Sequence, residues 1–311
     1  METMSHPQVS IVIPCYVTGN RVERLVSEIE SSMAQIPNSS FEIVFVVDGS
    51  PDNTWDYVLS ICESNKNVHG INLMRNFGQH AALLAGIRKA NGNFIVTMDD
   101  DFQHDPNDVP KLLAALTSEY DLIYGVSSKE EHSFFRNAAS QTYKWIAERL
   151  LGMQDARNIT AFRAFRKDLA SGFDQTEDPF APLDVLLSWT TTRIGTQQVE
   201  MREREDGVSG YSFKRLVSHA INAVTGYSTK PLRIVTVLGL VTFGISALFL
   251  IGLVIKYLNG DISVAGYPSL AIMIALFSGT QLLSLGVMGE YLGRLHIRSM
   301  GKPRYVIRDE T

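Results

Sequence analysis

Only two cysteines, Cys15 and Cys62, occur in the 311 residues. They exclude a disulfide scaffold and a four-cysteine metal site, and they suit a reducing cytosol. A basic surplus is also missing: the formal net charge is -5, so the balance offers no broad face for nucleic acid. Neither Gly-x-Gly-x-x-Gly after the first predicted strand nor a Walker lysine loop is present, which disfavours a dinucleotide-binding or P-loop protein. No internal repeat or low-complexity stretch interrupts the chain, and no signal peptide is expected, since Met1 to Gln8 is polar. With 45% hydrophobic and 20% charged residues, wholesale disorder is excluded.

The hydrophobic residues concentrate late. Residues 234–255 and 269–289 carry no charge, and each run reaches the ~20 residues that a membrane helix needs. The alternative is two buried core helices. Ser278, Thr280, Gln281 and Ser284 dilute the second run, while Ala275, Gly279, Gly286, Gly289 and Gly293 allow close helix packing. Lys214, Arg215, Lys230 and Arg233 precede the first run, and Arg294, Arg298, Lys302, Arg304 and Arg308 follow the second. The connection between them holds a single Lys and a single Asp. The positive-inside rule then predicts a multi-pass inner-membrane protein with both termini cytoplasmic and the short connection outside.

The first ~210 residues alternate short apolar runs with helical spacings, which predicts an α/β domain with a mostly parallel sheet. Strands are expected at 9–13, 42–47, 68–73, 94–98 and 122–124, and helices at 21–33, 54–62, 80–90 and 107–117. Ligands on such sheets bind at the carboxyl ends of the strands. Tyr16, Asp48 and Asp99-Asp100-Asp101 follow three of those ends and should converge on one edge. Three adjacent aspartates repel one another. They read either as a solvated turn leading into a helix cap or as a site for a hard divalent cation. In extended backbone Asp99, Asp101 and Gln103 share one side and Asp100 points to the other.

The segments VSIVIPCY (9–16), VDGSPDNT (47–54), RNFGQH (75–80) and MDDDFQHDP (98–106) resemble family 2 glycosyltransferases of the GT-A fold. With STKPLR (228–233) and GEYLGR (289–294), the chain is similar nearly end to end to the polyprenyl-phosphate glycosyltransferases, such as dolichol-phosphate mannose synthases and bacterial undecaprenyl-phosphate glucosyl and aminoarabinosyl transferases. The resemblance implies a cytosolic GT-A catalytic domain over 1–210, an amphipathic juxtamembrane segment over 211–230, and a transmembrane hairpin with a cytosolic tail over 231–311. It implies Mg2+ or Mn2+ held by Asp99, Asp101 and Gln103 on the diphosphate of a nucleoside diphosphate sugar, UDP-linked by preference. Pro14, Tyr16, Asp48, Arg75 and Asp100 would line the donor pocket, with Asp48 on the base. Arg136 and Arg163 would face the donor and the lipid phosphate, and Arg202, Arg204 and Ser209 the acceptor phosphate. Inverting transfer to a polyprenyl phosphate by a homo-oligomer is the implied activity. The chain departs from the family pattern at Val47, at Val17-Thr18 in place of Asn-Glu, and at Gly210 in place of a lysine. A processive polysaccharide synthase would need a Gln-x-x-Arg-Trp motif and more membrane helices, and the intact Asp99, Asp101 and Gln103 argue against a non-catalytic scaffold.

Overall fold

The computed structural model describes residues 8–37, 39–127, 158–172, 182–202, 230–259 and 266–311. It divides into two units. Met1–Glu148, Met153–Tyr211 and Gly301–Thr311 make the first; Arg149–Gly152 and Ser212–Met300 make the second. Arg136, Arg204, Ser209, Gly210 and the expected amphipathic segment lie outside the described residues.

The first unit is built on an eight-stranded sheet. Strands β1 (Val9–Cys15), β2 (Phe41–Val47), β3 (Val68–Leu73) and β4 (Phe94–Thr97) alternate with helices α1 (Arg21–Met33), α2 (Thr54–Ser64) and α3 (Gln79–Lys89). β1 lies between β2 and β4, and β2 pairs with β3, all in parallel. These strands read as mainly apolar runs because both faces are covered: every residue of β1 is buried. Val22, Leu25, Val26, Ile29 and Met33 recur at helical spacing and give α1 its buried face. Glu42 is a buried carboxylate within β2 that accepts from the Ser10 hydroxyl and the Asn91 backbone N–H, both at 2.5 Å.

After β4 the chain forms a 3-10 turn at Pro106–Asp108, helix α4 (Val109–Ala115) and strand β5 (Leu122–Ser127). Asp105 caps the turn by accepting from the Asn107 N–H at 2.9 Å. The helix expected over 107–117 is therefore a 3-10 turn followed by a shorter α-helix. Strand β6 (Arg163–Arg166), helix α5 (Asp168–Ser171), helix α6 (Leu183–Thr190) and strand β7 (Ile194–Val199) complete this half. β6 runs antiparallel to both β4 and β5, while β7 is parallel to β5. The sheet order is β7-β5-β6-β4-β1-β2-β3-β8, mostly parallel as expected.

The last strand, β8 (Ile307–Glu310), pairs antiparallel with β3 and closes that edge of the sheet. The segment expected as a cytosolic tail is thus a strand of the first unit. Thr311 and Gly70 exchange hydrogen bonds at 3.1 and 2.8 Å, and Met74 N–H donates to the Val306 carbonyl at 2.9 Å.

The second unit contains two long helices, α7 (Lys230–Leu258, 29 residues) and α8 (Tyr267–Ser299, 33 residues). At ~1.5 Å per residue both exceed the ~30 Å hydrocarbon thickness of a bilayer. Residues 232–249 of α7 have a mean hydropathy of 2.0 and are only 6% buried, so this helix is apolar and long enough to cross a membrane. The hydroxyls of Thr236, Ser246, Thr280 and Ser284 donate to the carbonyl one turn back, which satisfies them within their own helix.

Candidate active site

A cavity of about 300 Å3 opens at the carboxyl ends of β1, β2 and β4. Pro14, Cys15 and Tyr16 come from the end of β1 and Asp48 from the end of β2. Asn76, Gly78 and Gln79 come from the loop into α3, and Asp99, Asp100 and Asp101 from the turn after β4. Pro14, Tyr16, Asp48 and the three aspartates are therefore brought together as the strand ends predicted. Gln79 and Asn76 escaped the sequence reading, although they belong to the RNFGQH segment quoted there.

Each carboxylate has different partners. Asp48 is 4% exposed and accepts from the N–H groups of Phe77 and Gly78 at 2.7 and 2.8 Å, one on each oxygen. Both oxygens thus brace the loop that carries Asn76 and Gln79. Gly78 at φ 96° permits this turn without side-chain strain. Burial raises the Asp48 pKa, and the two N–H bonds and the Arg75 charge pull it back.

Asp100 accepts from the Thr18 hydroxyl and, at 3.4 Å, from the Tyr16 N–H. Desolvation raises its pKa, and these bonds oppose the rise. This middle aspartate ties the acidic turn to the loop after β1, although all three aspartates line the one cavity. Asp99 accepts from the Gln79 amide at 2.5 Å, while its own N–H donates to His104 Nδ1 at 3.1 Å. His104 is buried and stacked on Phe162, and burial pushes its pKa down to about 4. Neutral imidazole keeps Nδ1 an acceptor for Asp99. Asp101 accepts from the Gln103 N–H at 3.1 Å.

Two left-handed residues flank the cavity, Val17 at φ 57° and Phe102 at φ 60°. Val17 is held there by its N–H on Ser50 Oγ at 2.8 Å and by Arg21 on its carbonyl at 2.9 Å. Cys15 is buried, which raises its thiol pKa well above normal and keeps it protonated.

Other expected site residues lie elsewhere. Gln103 does not line the cavity; its carbonyl accepts from the Arg202 N–H at 3.0 Å. Arg163 is 2% exposed and ion-paired to Asp184, which also accepts from the Tyr124 hydroxyl at 3.0 Å. The Arg163 guanidinium is thus buried and engaged with a carboxylate, and it is not among the residues lining the cavity. Arg202 bonds Glu28 at 2.7 Å and Asp105 at 2.8 Å, which ties β7's exit to α1 and does not present its charge to the cavity. Arg75 stacks over Phe77, 4.3 Å from the ring centroid, outside the cavity lining.

Four carboxylates line the cavity, with no Lys or Arg among its described lining residues. An anionic diphosphate would be repelled from such a wall unless a cation intervened. Among the described residues, no three His, Cys, Asp or Glu side chains form a metal cage. The donor set suits a hard divalent cation that takes a few carboxylate oxygens and completes its shell with ligand phosphates and water.

Comparison with known proteins agrees with this architecture. Residues 10–172 match the model of Glycosyl transferase family 2. A protein of Aeromonas hydrophila named undecaprenyl-phosphate 4-deoxy-4-formamido-L-arabinose transferase is 30% identical over 303 residues, covering 96% of this chain and 92% of its own. One of the same name from Pectobacterium carotovorum is 30% identical over 304 residues, with the same coverage. Among solved structures, glucosyl-3-phosphoglycerate synthase from Mycobacterium tuberculosis, in complex with Mn2+, UDP and glucosyl-3-phosphoglycerate, superposes with a TM-score of 0.51 at 16% identity. It covers 70% of this chain and 78% of its own, a likeness of fold. With its strand-end cavity inside the matched region and its relatives aligned almost end to end, the chain belongs to glycosyl transferase family 2 and is a glycosyltransferase.

Proposed function

We propose that the protein transfers a sugar from a nucleoside diphosphate sugar to a polyprenyl phosphate at a membrane surface, with a UDP-sugar and undecaprenyl phosphate the favoured pair. One observation carries this reading. Relatives named as undecaprenyl-phosphate transferases align over 96% of the chain, so the alignment takes in both long helices as well as the sheet.

Asp99 and Asp101 would hold Mg2+ or Mn2+, which when bound supplies Lewis-acid stabilisation of the leaving diphosphate. Gln79 and His104 orient Asp99 through its carboxylate and its amide. Asp100 fastens the acidic turn to Thr18, and Asp48 fixes the loop that presents Gln79. The Tyr16 ring is half exposed at the cavity mouth, placed to stack on a nucleobase. A phosphate monoester has a second pKa of about 6 and is mostly dianionic at neutral pH. It is a competent nucleophile, so this site needs no general base. Displacement by that oxygen in a single step inverts the sugar carbon. Arg136 and Arg204 remain the candidates for the acceptor phosphate, because Arg163 and Arg202 are engaged with carboxylates.

The helix pair suits a lipid acceptor. Lys230 and Arg233 lie at the start of α7, and Arg294 and Arg298 near the end of α8. The chain leaves the first unit before α7 and rejoins it at Gly301 as the approach to β8. Two crossings would reconcile that return with the apolar lengths and leave both ends on one side, and the flanking basic residues support the cytoplasmic side for them.

The test is a panel of UDP- and GDP-sugars incubated with the purified full chain, undecaprenyl phosphate and Mg2+ or Mn2+. Formation of a lipid-linked sugar is expected for one donor. Transfer to a soluble acceptor, with none to the lipid, would overturn the acceptor assignment.

A further inference from the structure

The loop Tyr16–Gly19, between β1 and α1, lies outside any strand or helix, and its four successive N–H groups all end on side chains. Tyr16 donates to Asp100, and the other three donate to hydroxyls at the approach to α2. Val17 N–H reaches Ser50 Oγ at 2.8 Å, while the N–H groups of Thr18 and Gly19 share Thr54 Oγ1 at 3.1 and 2.8 Å. A hydroxyl has one proton to give and two lone pairs to receive. Both protons here go to one atom, Asp52 Oδ1, at 2.6 Å from Ser50 and 2.7 Å from Thr54. The carboxylate thus leaves the lone pairs of both hydroxyls for the loop, and buried Thr54 uses its full capacity. Burial raises the Asp52 pKa, but the bonds from Ser50 and Thr54 outweigh it and hold the carboxyl below its ordinary value, so it remains an acceptor at neutral pH.

We infer that Thr54 and Asp52 are positioning residues for the nucleoside end of the donor, acting through the loop that sets the Tyr16 ring at the cavity mouth. This rests on the nucleotide-sugar reading proposed above and adds to it two residues that are not among the described cavity lining. Backbone strain is why the bracket matters. Val17 and Gly19 both sit in the left-handed region, at φ 57° and 58°. Glycine adopts it freely, but a β-branched residue resists it. With the Thr54 hydroxyl removed, two of the loop's anchors go and Val17 relaxes toward ordinary backbone. A loop that holds its binding conformation only part of the time lowers the apparent affinity by that fraction. The cation pair and the reacting groups are untouched, so the loss falls on donor binding and not on turnover.

The test titrates the purified full chain with UDP and GDP in Mn2+ and follows the tighter ligand through a set of variants. Thr54→Val, nearly isosteric but without the hydroxyl, should weaken binding about tenfold and raise the donor KM alike, with kcat within about twofold of wild type. Thr54→Ser should bind as wild type does. Asp52 is exposed, so Asp52→Ala leaves the core intact, and it should weaken binding about threefold. Two double variants assign the effect to the loop. In a Tyr16→Ala background, itself weakened, Thr54→Val should cost less than about twofold more. Val17→Asn, which relieves the left-handed strain, should restore most of the affinity that Thr54→Val loses. Wild-type affinity in both Thr54→Val and Asp52→Ala would overturn the inference. So would full additivity of Thr54→Val with Tyr16→Ala, or equal losses in Thr54→Ser and Thr54→Val, which would mark a packing role. The binding readouts need no lipid. Intact couplings in a chain that transfers nothing to undecaprenyl phosphate would overturn the acceptor reading and leave the positioning role standing; a wild type that binds neither nucleotide would overturn the donor reading itself.

Discussion

Asp99, Asp100 and Asp101 are adjacent, yet their partners sort them into separate tasks. Asp100 bonds Thr18 and Tyr16, and the proposed reading gives the cation to Asp99 and Asp101. Asp101→Asn keeps the side-chain volume and removes one charge. Sugar transfer should fall by at least a hundredfold, with the melting temperature within a few degrees of wild type; retained turnover in chelator would refute the metal assignment. Val17 makes a different prediction. A β-branched residue in the left-handed region costs roughly 1–2 kcal/mol, and Val17 is 47% exposed, so little burial offsets that cost. Val17→Asn should raise stability by about 1 kcal/mol in denaturant titrations, because asparagine tolerates this conformation. His104 supplies a pH dependence. Its pKa is depressed to about 4, so the stability it contributes is present above the ordinary value of 6.5 and is lost as pH falls through 4. His104→Gln retains an acceptor for the Asp99 N–H but does not titrate. In chelator, between pH 7.5 and 4, wild type should lose roughly 3 kcal/mol more than the variant by tryptophan fluorescence.

At the level of elements, β8 decides the state of a sheet edge. Without it β3 would present unpaired N–H and C=O groups, an invitation to pairing with another chain. Side-chain contacts reinforce the pairing: Lys89 lies 3.3 Å from Glu310, and the Asn72 amide donates to Asp309 at 3.3 Å. Truncation after Tyr305 removes the whole strand. With a net contribution of ~1 kcal/mol per hydrogen bond, the first unit should lose about 2–3 kcal/mol. Hydrogen exchange at residues 69–74 should accelerate selectively. Exchange unchanged in that stretch would mean that β8 does not protect the edge in solution.

For the whole molecule, the return of the chain to the sheet constrains topology more tightly than hydropathy does. An odd number of crossings between Lys230 and Met300 would put β8 on the wrong side of the membrane from β3. A single cysteine at position 260, in a Cys62→Ser background with Cys15 buried, should react with an impermeant maleimide from the periplasmic side of intact cells. A cysteine at position 302 should react only after permeabilisation. Labelling of position 260 from the cytoplasmic side alone would mean that the helix pair does not span.

The parallel half of the sheet was legible because strands covered on both faces are mostly apolar, and β1 to β4 show such runs despite single polar residues such as Glu42 and Asn72. Helix α1 was legible from its 3.6-residue spacing, and the convergence of Tyr16, Asp48 and the aspartates followed from parallel topology alone. Strands β6, β7 and β8 were not legible. β6 holds only Ala164 and Phe165 between two arginines, β7 reads IGTQQV, and β8 is exposed and charged, so each depends on partners distant in sequence. The sequence also ranked Arg163 and Arg202 as phosphate ligands, since an arginine in a familiar motif carries the same charge wherever it points. Only tertiary packing brought Asp184 to Arg163, and Glu28 with Asp105 to Arg202, and so consumed those charges. Residue types and periodicity determined the layers and the edge where the site lies. Contacts between residues up to 174 positions apart decided which side chains there are committed to structure.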